Sequence, residues 1–136
     1  MKEVKDRIDD AKEAVISALE EGIVVGGGCA LLAARANTSM EVSENEDYEK
    51  GIDILFKSIE APFRTICSNA NVSADVKLEE VLYRPSGTGY NAKTDKYVNM
   101  MDEGIIDPKK VTRIAIESAA SVAGTLLTTQ CGIIES

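Results

Sequence analysis

"EEGIVVGGGCALL", residues 20–32, sets three consecutive glycines, Gly26 to Gly28, between an apolar run and a segment that reads as the start of a helix. Glycine costs about 1 kcal/mol relative to alanine in a helix interior, so three together mark a junction rather than a helix. Two explanations fit them. In one, the chain turns sharply and packs tightly. In the other, backbone N–H groups at a helix start approach an anion such as a phosphate. The spacing is neither G-x-G-x-x-G nor a P-loop with its lysine, and it leaves both explanations open.

Helical periodicity extends on either side of this junction. Upstream, Val4, Ile8, Ala11, Val15 and Leu19 recur every three or four residues. They predict one amphipathic helix over 3–20, stopped at Gly22. Downstream, a helix runs from the glycines to about Asn37. Others are expected at 46–60, with Ile52, Leu55, Phe56 and Ile59 on its apolar face, at 62–70 behind Pro62, and at 73–82 with Ser73 as N-cap. At Tyr83 the composition changes: Pro85, Gly87, Gly89, Gly104 and Pro108 predict a loop and β-hairpin region over 83–108. Asp107 as cap and Pro108 in the first helical position then open a helix that reaches Leu127. Val111, Ile114, Ala115, Ala119, Val122 and Leu126 would line its buried face. "TTQCGIIES" (128–136) has the β-branched content of a terminal strand seeking a partner. The fold class is mainly α, with a small hairpin and a C-terminal strand.

Composition excludes several functions. The chain has 136 residues, 44% of them hydrophobic, which suits one domain with a core. Aromatics are only 4%, so that core must be built from aliphatic residues. A net charge of −8 argues against nucleic acid or an anionic membrane as partner. No run of about 18 apolar residues suggests a membrane span, and the charged N-terminus does not read as a secretory signal. The three cysteines, Cys29, Cys67 and Cys131, read as buried thiols of a reducing cytosol. With no histidine in the chain, histidine-based metal sites and general bases are out.

The polar candidates are individually ambiguous. Asp9 and Asp10 could bind Mg²⁺ or orient a water, or simply sit on a solvated helix face. Asp107 is explained by capping, although a carboxylate there also suits the hydroxyls of a ribose. Asn91 has ordinary turn chemistry.

Taken in order, "DDAKEAVISALEEGIVVGGGCALL", "EAPFRTICSNA", "GYNAKTDKYVNMMDEGIIDPKKVTR" and "ESAASVAGTLLTTQC" resemble the C-terminal part of the group I (60 kDa) chaperonins. The match runs from about Lys5 to Cys131 and is weakest over 71–89. The resemblance implies that residues 1–21 are the descending helix of an intermediate domain. Residues 22–136 would be the second half of a helical equatorial domain, which binds ATP and makes most ring contacts. Gly27 matches a nucleotide-contacting glycine. Asn91, Ala92 and Lys93 match the adenine-side loop; the family commonly has alanine in place of Lys93, so contact there would be through backbone. Asp107 matches the ribose-binding carboxylate, and Asp10 the aspartate that positions the attacking water at the γ-phosphate. No residue is assigned to a metal.

The main phosphate loop, the Mg²⁺-binding carboxylate and the apical domain, which receives unfolded clients and the co-chaperonin, have no counterpart in these residues. The resemblance therefore implies a piece of an ATP-dependent, cytoplasmic, homo-oligomeric chaperonin that hydrolyses no ATP by itself. The alternative is a non-catalytic helical interaction module that keeps the packing and binds other subunits.

Overall fold

The computed structural model describes residues 2–39 and 45–132. Its elements are α1 (Lys2–Glu21), β1 (Ile23–Val25), α2 (Cys29–Asn37), α3 (Glu46–Ile59), α4 (Ala61–Asn69), α5 (Ala74–Leu82), β2 (Thr88–Asn91), β3 (Lys96–Asn99), β4 (Ile106–Pro108) and α6 (Lys109–Leu127). The fold is mainly helical, as the periodicity predicts. The expected hairpin is present: β2 and β3 are antiparallel, with Tyr90 opposite Tyr97 and Asn91 opposite Lys96. A second two-stranded sheet pairs β1 with β4. The chain divides into two compact units, Met1–Ile23 with Pro108–Ser136, and Val24–Asp107.

The Val24–Asp107 unit holds the core. Cys29, Leu32, Phe63, Cys67, Leu78, Val81, Tyr90 and Met100 form one buried cluster, with Cys67 and Met100 fully enclosed. α2, α4 and α5 each bring two residues to it, whereas α3 buries none. Asn45 caps α3 by accepting from the amides of Asp47 (3.0 Å) and Tyr48 (3.3 Å). The α3–α4 joint falls at Glu60, and Pro62 occupies the first turn of α4, where its missing N–H is no loss. Glu60 is buried, and a buried carboxylate needs partners. Arg35 from α2 and Arg64 from α4 supply them, and Arg64 also reaches Asp75 at the start of α5 (2.6 Å). One ionic chain thus joins α2, the α3–α4 joint, α4 and α5.

The other unit is built differently. The left-handed backbone of Gly22 (φ +84°) ends α1, and the Gly22 carbonyl accepts from the Lys109 amide at 3.0 Å. Glu20 pairs with Lys110, and Glu21 takes a two-pronged contact from Arg113 (2.6 and 3.1 Å). No residue of α6 is buried.

Several expectations are corrected. Asp107 does not cap α6: it lies in β4, whose pairing keeps Pro108 extended (ψ 127°), so the helix begins one residue later. Ser73 stands at the N-cap of α5, but its hydroxyl makes no capping bond. Along α6, Val111, Ile114, Ala115, Ala119, Val122 and Leu126 face solvent rather than a core. Thr128–Gly132 form no strand, and 133–136 lie outside the described residues. Cys29 and Cys67 are buried free thiols as expected, whereas Cys131 is exposed.

Candidate functional site

The glycine turn is held from both sides. The Gly26 amide donates to the Ile105 carbonyl at 2.8 Å, and the Cys29 amide closes back onto the Gly26 carbonyl at 3.1 Å. Neither bond uses the amides of Gly27 or Gly28. Both of these residues have left-handed backbone (φ +65° and +76°), which side-chain-bearing residues rarely adopt. Space is equally restrictive. A Cβ on Gly26 would lie 3.1 Å from the Ile105 carbonyl, and one on Gly28 would lie 2.8 Å from the Phe63 nitrogen. On Gly27 it would meet the Met100 methyl at 2.7 Å. What comes close to this backbone, within the described residues, is therefore protein on two sides of the turn.

Met100 and Cys29 connect the turn to the hairpin. A Cβ on Gly89, in β2, would collide with the Cys29 sulfur (2.5 Å) and with Met100 (2.7 Å). A glycine inside a strand marks such a close approach, and this one seats the start of the hairpin on the start of α2. Burial pushes the Cys29 thiol above its ordinary pKa, with a smaller push in the same direction from the Asp107 charge. That marks Cys29 as a packing residue rather than a nucleophile.

At the far end of the hairpin, residues 92–95 form a four-residue turn. Asn91 builds it: its side-chain oxygen accepts from the Lys93 amide (3.0 Å) and its carbonyl from the Thr94 amide (3.2 Å). Ala92 packs against the core cluster and Lys93 is exposed. Asp95 closes the turn with φ +54°.

Asp107 follows Ile105–Ile106, the segment bonded to the glycine turn. Its carboxylate is exposed and makes no hydrogen bond or ion pair with a described residue. Surrounding atoms nevertheless desolvate it enough to raise its pKa. Of the residues singled out in the sequence, Gly27, Asn91, Ala92, Lys93 and Asp107 therefore all lie in the Val24–Asp107 unit. Gly27 and Asp107 flank one hydrogen-bonded junction, and the 91–93 turn lies one strand length from Met100. Asp10 belongs to the other unit, exposed on α1.

A cleft of about 200 Å³ in the same unit is lined among others by Val25, Leu32, Ala36, Arg84, Pro85 and Thr88. Cys29 borders it, but Asp10, Gly27, Asn91, Ala92, Lys93 and Asp107 do not. Among the described residues, no group of three or more Cys, Asp or Glu side chains is placed to hold a metal ion. Nor is any helix long and apolar enough to cross a membrane.

Sequence reasoning missed Met100 and Gly89 as the connectors between turn and hairpin. The one available signal was a glycine inside the alternating pattern "TGYN".

Among solved structures, the chain resembles a group III chaperonin crystallised in the open state. The TM-score is 0.71 at 24% identity, over 86% of this chain and 25% of the other. That likeness shows a shared fold, and this chain spans about a quarter of the length of its structural relative. The model of the TCP-1/cpn60 chaperonin family matches residues 1–136, and the chain belongs to that family.

Proposed function

We propose that this chain contributes part of the ATP site and part of the ring-assembly surface of a chaperonin that assists protein folding in the cytoplasm. The observation that carries the reading is the junction at Gly26–Gly28. There a helix start with two left-handed glycines is hydrogen-bonded to the segment leading into a carboxylate that has no partner among the described residues. The residues fit a nucleotide. The amides of Gly27 and Gly28, at the N-terminus of α2, suit phosphate oxygens. The Asp107 carboxylate suits ribose hydroxyls, which would donate to it. The backbone of Asn91, Ala92 and Lys93 supplies donors and acceptors for a base edge.

In this reading α1 carries Asp10 as part of an intermediate-domain helix, and residues 22–136 form the second half of an equatorial domain. Asp10 orients the water that attacks the terminal phosphate when α1 tilts toward the site, so gating by domain closure sets the timing. Phosphoryl transfer needs mainly positioning and charge stabilisation. Mg²⁺ would offset the triphosphate charge, and its ligands are expected outside these residues. Clients and co-chaperonin would act through an apical domain, also outside them. Removing one preorganised electrostatic contact already costs about 10²–10³ in rate. The 136-residue chain is therefore expected to turn over no ATP.

The second reading, a non-catalytic helical interaction module, is favoured by the apolar residues exposed along α1 and α6. Size-exclusion chromatography with light scattering, with and without ATP and Mg²⁺, separates the two. Nucleotide-dependent association supports the ATP-site reading. Association indifferent to nucleotide supports the module. Turnover by the isolated chain that survives Asp10→Ala contradicts the role assigned to Asp10.

A further inference from the structure

The turn at 92–95 is anchored by a side chain that no sequence pattern singles out. Lys77 on α5 lies under the hairpin, with its side chain 17% exposed. Its ammonium sits 2.8 Å from an Asp95 carboxylate oxygen, 4.3 Å from the centre of the Tyr90 ring and 5.2 Å from that of Tyr97. The Tyr90 hydroxyl donates to the same Asp95 oxygen at 3.0 Å. Arg84 covers the Tyr97 ring at 4.2 Å. Asp95 itself holds a left-handed backbone conformation, uncommon for non-glycine residues but tolerated by aspartate in turns.

We propose that Lys77 and Asp95 are positioning residues for the nucleotide-facing turn Asn91–Lys93. They touch no ligand. They fix the end of the turn to a helix, so that the Asn91 cap and the amides of Lys93 and Thr94 keep one geometry. The ion pair alone is a modest restraint, because Asp95 is open to water. The Lys77 ammonium is confined by two aromatic rings as well as by the carboxylate, and a desolvated cation–π contact strengthens the hold. The pair also explains why an aspartate, rather than glycine, occupies the left-handed position: glycine would relax the backbone and lose the anchor. This inference rests on the nucleotide reading of the turn.

The test uses the whole chain and two readouts. Amide hydrogen exchange at Lys93 and Thr94, without nucleotide, reports the restraint itself. Lys77→Met, which keeps the stem and removes the charge, is expected to speed exchange there about fivefold while leaving Met100 unchanged; Lys77→Arg is expected to restore protection. The second readout compares ATP with inorganic tripolyphosphate, followed by backbone amide shifts. Lys77→Met is expected to weaken ATP about threefold to tenfold and tripolyphosphate by less than twofold, because only the base side has lost its geometry. Unchanged exchange at Lys93 and Thr94 in Lys77→Met overturns the positioning role, whatever the affinities. Equal weakening of both ligands also overturns it, since that is a general structural effect. If the unaltered chain shows no ATP-dependent shift at 91–93, the nucleotide reading fails and the anchor serves the fold alone. A change in exchange under that condition identifies which of the two claims was wrong.

Discussion

The two units of this chain solve the same problem in opposite ways. In Val24–Asp107, short helices bury Leu32, Phe63, Cys67 and Leu78 around Met100, and a shared ionic chain through Glu60 satisfies the polar groups. In the unit of α1 and α6, helices of 20 and 19 residues keep most of their apolar residues in water. Leu19 is 83% exposed and Leu126 68%. Ion pairs at one end, Glu20–Lys110 and Glu21–Arg113, link them. Amphipathic periodicity predicts that a helix forms with one apolar face; it does not say what covers that face. Along α1 and α6 the periodic apolar residues form faces that the described residues leave largely uncovered.

This contrast is most severely strained by Gly28→Ala. The new methyl would meet the Phe63 backbone at 2.8 Å in a left-handed conformation. Backbone strain and overpacking together should cost about 3 kcal/mol or more. Urea denaturation should show that loss, whereas Leu19→Ala should stay within about 0.5 kcal/mol. Comparable losses in both variants would erase the distinction between the units.

Arg113→Ala probes the other side. Its guanidinium holds the Glu21 carboxyl below the usual range, chiefly by hydrogen bonding. A depressed carboxylate stabilises above its unfolded pKa and loses that contribution as pH falls through the folded value. The substitution should therefore accelerate amide exchange at the C-terminal turn of α1 at neutral pH and have no effect in strong acid. Exchange in α4 should not respond. High salt should mimic the substitution, because these pairs lie in solvent.

Asp107→Asn should have the smallest effect on stability, and one of opposite sign. The Asp107 pKa is raised by desolvation, so its ionisation opposes folding as pH rises through the window above 3.8. Asn should slightly raise the melting temperature at pH 7, leave it unchanged near pH 3, and weaken nucleotide binding. A lower melting temperature at pH 7 would mean that the carboxylate has a structural partner.

How much of this was readable in advance follows from the same contrast. The helices and the hairpin were legible because periodicity and turn residues are local signals. The junction at Gly26–Gly28 was legible as a junction. Its neighbours, Ile105, Phe63 and Met100, were not, because they arrive from 35 or more positions away. Asp107 was assigned a capping role by local rule, and strand pairing at β4 overrode it. The buried face expected on α6 failed for a related reason: small and branched residues at helical spacing state a capacity for packing, not its fulfilment. Lys77 carries no pattern at all, since its role appears only once β2 and β3 pair.

In the proposed function, nucleotide contacts gather at the glycine junction and the 91–93 turn. A backbone amide shift map of the full chain with increasing ATP tests it most directly. Changes are expected at Gly27, Gly28, Asn91, Ala92, Lys93 and Asp107, with α6 beyond its first turn silent. Shifts confined to the cleft around Arg84 and Thr88, or no shifts in Val24–Asp107 at all, would contradict it.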